Sequence, residues 1–244
     1  MPKIRLEDVK EFKIERKIFD ERTLMALYRL LNKGIVKTVE SIAKEGKESV
    51  VLSAKDKNNN WLALKVYRYE YCDFKSMWKY LVGDPRFFNV KKSRRAVVLN
   101  WAKREFKNLK IAYEAQVSCP KPIALEENVL VLEFIGENGN LAPRLIDTQL
   151  ELEDADYIYN LLLEELRKIV SSGLIHSDIS PYNILIFEKP YLIDFSQAVP
   201  HSHPLAKEFL LRDIKNINSY FKKVGVKVKD EQKIFGELLE LMKK

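Results

Sequence analysis

Long apolar runs, paired cysteines, clustered histidines and internal repeats are all missing from this chain, and each absence narrows what it can be. No stretch approaches the ~20 consecutive apolar residues that span a bilayer. The opening residues, MPKIRLEDVK, carry charges where a secretory leader needs an apolar run. The expected location is the cytoplasm, with no membrane as partner. Cys72 and Cys119 stand far apart without C-x-x-C spacing, which argues against a disulfide framework or a cysteine-based zinc site and leaves two buried thiols. His201 and His203 have H-x-H spacing, but no cysteine or third histidine stands beside them. They read as capping for a helix opened at Pro204 rather than as metal ligands. What is present, 244 residues with 46% hydrophobic content, suffices for one sizeable domain or two small lobes.

Acidic residues are scarce in one window. Between Lys75 and Lys110 eleven basic residues face only Asp84 and Glu105, a local charge of +9 against −2 for the remainder. Trp78, Tyr80, Phe87, Phe88 and Trp101 interleave with them. Two readings stand: a surface that neutralises phosphates and stacks bases, with RNA as partner, or a solvated basic face whose rings turn into the core.

Along the chain, Asp20 as N-cap, Leu24, Leu27, Tyr28 and Leu31 on one face and Gly34 past the end predict a first amphipathic helix. From Thr38 to Tyr67 the pattern becomes strand-like, and SVVLSAK and WLALKVYR around the polar DKNNN predict a hairpin. The basic window closes in a helix with Ala102, Phe106, Leu109 and Tyr113 on one face. Next come the strand ENVLVLEFIG, a long helix from Glu151 to Ser172, and a helix after Pro204 with Ala206, Leu210, Ile214, Ile217 and Phe221 in register. This order predicts a two-lobed α+β plan with a cleft between the lobes. The expected division is an N-terminal helical extension over 1–37, an N-lobe over 38–135 with a basic insertion at about 68–100, and a C-lobe over 136–244.

The chemistry concentrates in GLIHSDISPYNILIFEKPYLIDFSQAV, residues 173–199. H-x-D followed by an asparagine five residues after the aspartate, then by an aspartate closing an apolar strand, is the arrangement of phosphoryl transfer. Polyphosphate charge is neutralised by magnesium, a cation held by few protein oxygens, and Asn183 and Asp194 offer a carbonyl and a carboxylate for it. Asp178 then orients or deprotonates the attacking hydroxyl or water. His176 reads as packing beneath this loop. In the first half, LALKVYR puts Lys65 in an apolar strand, where an ammonium must meet an anion. It is expected to grip the α- and β-phosphates of a nucleotide, with Glu105 as its partner acid from the following helix. By order along the chain, VLEFIG is the hinge that reads adenine through the Glu133 carbonyl and the Ile135 N–H.

These motifs, together with GKES at Gly46–Ser49, CPKPIAL and HSHPLAKEFLLRDIKNIN, make the chain resemble the RIO family of atypical protein kinases, and within it the subfamily usually numbered one. Ser180 also fits that pattern, where an ordinary kinase carries lysine. The resemblance implies a bilobal kinase fold that binds ATP with Mg2+, or Mn2+, and serine autophosphorylation. It also implies a role in small ribosomal subunit maturation, with the precursor particle and its RNA as partners, and a phospho-aspartate at Asp194. On this pattern Gly46, Lys47, Glu48 and Ser49 form a reduced phosphate-binding loop. Lys44 and Glu45 replace the subfamily's serine–threonine pair, and a carboxylate there repels phosphate. Ser196 stands where many kinases have glycine.

The chain between Ser196 and Pro204 leaves no room for an activation segment or a peptide-docking platform. That favours ATP hydrolysis or self-phosphorylation over transfer to many proteins. Two alternatives from other classes are a small-molecule phosphotransferase of the antibiotic-kinase type and a catalytically silent RNA-binding scaffold.

Overall fold

Asp20 caps the first helix, α1 (Glu21–Asn32), by accepting the Thr23 amide at 2.8 Å, and Gly34 in the left-handed region (φ +67°) follows its end. The computed structural model describes residues 19–82, 84–87 and 91–243, apart from the side chains of Lys79 and Val82. The opening decapeptide, Gly83 and Phe88 lie outside the described residues. Contacts divide the chain into two compact units. The first draws on residues within Met1–Leu81, Asn89–Phe106 and Lys121–Leu141, and the second on Val82–Phe88, Lys107–Pro120 and Ala142–Lys244.

In the first unit, β1 (Thr38–Glu45), β2 (Ser49–Lys55) and β3 (Trp61–Tyr67) precede the helices α2 (Phe74–Val82) and α3 (Arg94–Glu114), of which α3 runs on into the second unit. β4 (Pro122–Glu126) and β5 (Val129–Glu133) complete an antiparallel sheet in the order β1-β2-β3-β5-β4. The β2–β3 turn is the expected DKNNN: Asp56 Oδ1 accepts the amides of Asn58 and Asn60, while Asn59 takes a left-handed φ of +65°. Side chains alternate across a strand. Val50, Leu52 and Ala54 on β2, Leu62, Leu64 and Val66 on β3, and Val129 and Val131 on β5 therefore share one face, where they form a core with α1.

α1 enters this core through Ala26, Leu27, Leu30 and Leu31, while Leu24 and Tyr28 lie at its margin, so the buried stripe is rotated from the expected one. The reason is charge on the flank: Arg29 bonds Glu126 at 2.5 Å and Glu127 at 3.0 Å, and Lys33 bonds Glu126 at 2.6 Å, which pins the helix to the β4 edge. Fully burying one leucine such as Leu64 contributes about 1.5–3 kcal/mol. The unit ends in a small ladder of β6 (Gly136–Glu137) and β7 (Asn140–Leu141), where Gly139 (φ +80°) turns beneath the Trp61 ring.

The second unit is helical: α4 (Leu152–Ser171), α5 (Ala206–Val224) and α6 (Glu231–Leu241) surround a core in which Tyr159 packs on Phe221 at 5.3 Å. Two short ladders stand with them. β8 (Leu174–Ile175) pairs with β11 (Val199–Pro200), and β9 (Ile184–Phe187) with β10 (Lys189–Leu192). The loop 176–183 leaves β8 for β9, and 193–198 leaves β10 for β11, so the ladders anchor both ends of the polar segments singled out by sequence. Ala206, Leu210, Ile214, Ile217 and Phe221 are all buried, as their register predicts. The helix begins at Ala206, past Pro204, because His203 supplies the acceptors: its Nδ1 takes the Leu205 amide at 3.1 Å and its carbonyl the Ala206 amide at 3.0 Å. From Asp194 to α5 there is only a 3-10 turn (Phe195–Gln197), β11 and a short turn, with no activation segment. Both cysteines are buried and neither is in a disulfide, and burial pushes the Cys72 thiol up to about 12. No helix among the described residues is long and apolar enough to cross a membrane.

Candidate active site

β3 places Lys65 by alternation. Leu64 and Val66 turn into the core with α1, so Ala63, Lys65 and Tyr67 take the opposite face. There Lys65 Nζ donates to Glu105 Oε1 at 2.7 Å, and the Tyr67 hydroxyl donates to Glu105 Oε2 at 2.6 Å. Glu105 is 1% exposed and Lys65 9% exposed, so the pair is a desolvated one whose mutual attraction offsets the cost of burying each charge. The sequence-predicted partners meet.

The β1–β2 turn carries Gly46, Lys47 and Glu48 into Ser49, and Gly46 N donates to Ser49 O at 2.9 Å. A Cβ at Gly46 would lie 3.2 Å from Ser49 O, so this closure suits glycine. Arg68 answers the carboxylate that sequence places near the phosphates: its Nη2 bonds Glu45 at 2.5 Å. Glu48 Oε1 accepts the Asp73 amide at 3.0 Å, and Glu48 is thereby committed to the chain leading into α2. Glu133 ends β5 and is tied through both N–H and carboxylate to Lys121, at 2.9 and 3.1 Å; Ile135, just beyond, is buried.

In the second unit the loop 176–183 folds back on itself. Asn183 Nδ2 donates to the Asp178 carbonyl at 2.9 Å and to Asp178 Oδ2 at 3.0 Å, which turns the asparagine carbonyl oxygen away from Asp178. Gln197 Nε2 also donates to Asp178 Oδ2, at 3.2 Å. Asp194 adopts a left-handed backbone (φ +64°, ψ +68°), and Ser196 Oγ donates to its Oδ1 at 2.6 Å. Asp178, Asn183 and Asp194 are all half-buried. His176 lies against Phe195, ring centroids 4.6 Å apart, which is the packing role expected of it.

Among the described residues no group of three or more histidines, cysteines or carboxylates could hold a metal ion by itself. The donors available are an amide oxygen and a carboxylate, the set suited to Mg2+, which keeps waters and borrows phosphate oxygens to complete its shell.

The residues that hold these loops escaped sequence reasoning. Asp213, on α5 and fully buried, accepts the Ser177 amide at 2.8 Å and the Ile179 amide at 3.0 Å. Burial pushes its carboxyl up to about 7, against the pull of those two amides and of Arg212, while Asp178 adds a further upward push. Arg212 donates to the Ser177 carbonyl and Asn216 to the Ile179 carbonyl, the latter at 2.9 Å. Asn108, on α3, donates to the carbonyls of Phe195 and Ala198 at 2.8 and 2.9 Å. The signal available for three of them was their place in HSHPLAKEFLLRDIKNIN.

The basic window divides its rings. Trp101 and Phe87 are buried, whereas Trp78 and Tyr80 are half-buried. Trp78 stacks on Phe74 at 6.1 Å with Lys92 5.8 Å from its ring, and Lys75, Lys91, Lys92 and Arg94 are exposed nearby in sequence.

A five-stranded antiparallel sheet with a strand lysine paired to a helix glutamate, followed by a helical unit bearing H-x-D-x-x-x-x-N and D-F-S loops, defines an α+β protein-kinase-like fold. Comparison of folds agrees: the Rio2 kinase from Chaetomium thermophilum, solved as an ADP/Mg2+-phosphoaspartate complex, superposes with a TM-score of 0.69 at 23% identity. The match covers 88% of this chain and 65% of that one, so this chain spans about two thirds of its length.

The RIO domain profile matches residues 50–234. The RIO-type serine/threonine-protein kinase Rio1 of Methanocaldococcus jannaschii is 42% identical over 220 residues, covering 89% of this chain and 74% of that protein. Its namesake in Haloferax volcanii is 38% identical over 224 residues, covering 91% and 77%. The human serine/threonine-protein kinase RIO1 is 34% identical over 235 residues, 95% of this chain but 41% of that longer protein. The chain belongs to the RIO family of serine/threonine-protein kinases.

Proposed function

We propose that this chain is a Mg2+-dependent atypical serine kinase and ATPase that phosphorylates itself and acts on the precursor of the small ribosomal subunit in the cytoplasm. The observation that carries the catalytic part is the Asp178–Asn183 contact: the amide nitrogen is spent on Asp178, so the amide oxygen is the atom offered to a cation, beside the loop 193–198 that carries Asp194. Asn183 and Asp194 would hold Mg2+, which neutralises polyphosphate charge when bound. Lys65, steadied by Glu105, grips the α- and β-phosphates, and the turn at Gly46–Ser49 covers them. The Glu133 carbonyl and the Ile135 N–H meet the adenine.

Asp178 accepts the proton of the attacking hydroxyl. For a serine of the chain itself, the Ser Oγ–P bond forms as the bond from phosphorus to the β,γ-bridging oxygen breaks, ADP leaves, and the proton rests on Asp178. The Rio2 relative was solved with a phosphoaspartate. That supports a parallel route in which an Asp194 carboxylate oxygen attacks the γ-phosphorus, ADP leaves, and water later cleaves the acyl phosphate to regenerate the carboxylate. The exposed basic residues around the Phe74–Trp78 stack support RNA as the partner of the first unit.

The test is Mg2+-dependent ATP turnover, with and without small-subunit precursor particles, for the parent, Asp178→Ala and Asp194→Asn, with phosphosites mapped by mass spectrometry. Loss of about 100-fold or more in turnover is expected for Asp178→Ala. Unchanged hydrolysis in both variants defeats the assignment. Particle-independent rates together with salt-independent RNA retention defeat the ribosomal reading.

A further inference from the structure

We propose that Gln197 is a positioning residue for phosphoryl transfer: with Asn183, its side-chain amide fixes the orientation of the Asp178 carboxylate. The inference rests on the reading of Asp178 as the group that receives the acceptor proton.

An ionised carboxylate only accepts hydrogen bonds, so both amides must present their NH2 groups to it. Gln197 Nε2 lies 3.2 Å and Asn183 Nδ2 3.0 Å from the same oxygen, Oδ2 of Asp178. The two donors come from different loops, one between β8 and β9 and one between β10 and β11. Asn183 also holds the Asp178 backbone carbonyl at 2.9 Å, which fixes the base of the side chain. Asn183 thus approaches the carboxylate from its own loop only. A second donor arriving from the other loop constrains the same oxygen from another direction.

The reach of Gln197 is itself prepared. It sits in the 3-10 turn Phe195–Gln197, whose first carbonyl, Phe195 O, and the carbonyl just past it, Ala198 O, are both bound by the buried Asn108 amide at 2.8 and 2.9 Å. The neighbouring Ser196 hydroxyl bonds Asp194 Oδ1 at 2.6 Å. One turn of chain thus holds both carboxylates, Ser196 taking the metal-side aspartate and Gln197 the proton-accepting one. A displacement of the Asp194 loop would carry Gln197 with it and break its bond to Asp178 Oδ2. Supports of this kind, acting one shell away from the chemistry, are typically worth 10–100-fold in activity.

The experiment uses the full chain with Gln197→Ala and the isosteric Gln197→Glu, each alone and combined with Asp178→Ala, measured by single-turnover ATP hydrolysis, affinity for a non-hydrolysable ATP analogue and melting temperature. Both single variants should lose about 10–100-fold in rate with analogue affinity within about twofold of the parent, a kcat effect without a KM effect. Gln197→Glu should lose at least as much as Gln197→Ala, because it places an acceptor against an acceptor. Adding Gln197→Ala to Asp178→Ala should cost nothing further, since the residue it positions is gone.

A Gln197→Ala rate within about twofold of the parent overturns the proposal, as does an equal loss in the Asp178→Ala background. If Gln197→Ala fails to fold, Gln197→Glu, which keeps shape and volume, carries the same two outcomes. Full turnover by Asp178→Ala alone would instead overturn the assignment of Asp178, a result separable from failure at Gln197.

Discussion

Replacing Glu105 by alanine removes a carboxylate that the Lys65 ammonium and the Tyr67 hydroxyl share, at 2.7 and 2.6 Å. Both charges are nearly inaccessible to water, Glu105 at 1% and Lys65 at 9% exposure, so bulk solvent cannot take over. Breaking a buried pair from one side costs about 3–5 kcal/mol, and the hydroxyl bond adds about 1 kcal/mol. The residual exposure and the proximity of the Tyr67 ring, 5.1 Å from Nζ, favour the lower end, about 4 kcal/mol in all. For a chain of this length that corresponds to a fall of roughly 8–16 °C in melting temperature.

The compensating double variant Lys65→Met, Glu105→Leu separates the two roles of the pair. It should recover most of that stability, because a well-packed apolar replacement of a buried ion pair is close to neutral, yet it should not bind ATP. Differential scanning calorimetry and analogue binding on the parent, Glu105→Ala and the double variant decide the matter. A melting temperature for Glu105→Ala within about 2 °C of the parent would refute the claim that this pair is a desolvated one, whatever happens to activity.

Asn183→Ala should raise the half-saturating Mg2+ concentration for ATP turnover about 10–100-fold, and a Mg2+ titration that superposes on the parent's would count against an asparagine ligand. The Asp213 carboxyl, whose ordinary value is 3.8, is pushed up to about 7 by burial, so in that window the folded chain holds a proton that the unfolded chain has lost. Its contribution to stability is complete below about 4 and is lost as pH rises through about 7. Denaturant melts between pH 4 and 8 should fall more steeply for the parent than for Asp213→Asn, and parallel slopes would contradict this. At Gly139, φ is +80° and a Cβ would stand 2.8 Å from the Trp61 ring, so Gly139→Ala should cost about 1–3 kcal/mol and alter Trp61 emission; an unchanged melt would mean the ring yields freely.

Local signals carried far in this chain, and their reach ended where partners are distant. Asp20 and Gly34 bound a helix within a residue or two, and DKNNN closed the hairpin, because caps and turns are read over four or five residues. Lys65 was legible because a charge in an apolar strand demands an explanation. The stripe of α1 was not, since the choice between Leu24 with Tyr28 and Ala26 with Leu30 depends on where Glu126 and Glu127 meet Arg29, 97 and 98 residues on. Likewise the rings of the basic window gave no sign of dividing, with Trp101 inside and Trp78 half outside. Asp213 looked like any polar residue beside Leu210 and Ile214, and nothing adjacent to it says that it receives the amides of Ser177 and Ile179. Asn108 and Gln197 were silent for the same reason, each acting on residues in loops that only the finished fold supplies.

The left-handed backbone at Asp194 (φ +64°) has a further implication for how this chain responds to selection. A residue with a Cβ is held there at a cost of about 1 kcal/mol or more, which glycine would avoid and asparagine would tolerate better. A library enriched only for heat resistance should accumulate those two residues at position 194. On the role proposed for Asp194, its sturdiest members would then be inert, having exchanged a strained carboxylate for a comfortable bend.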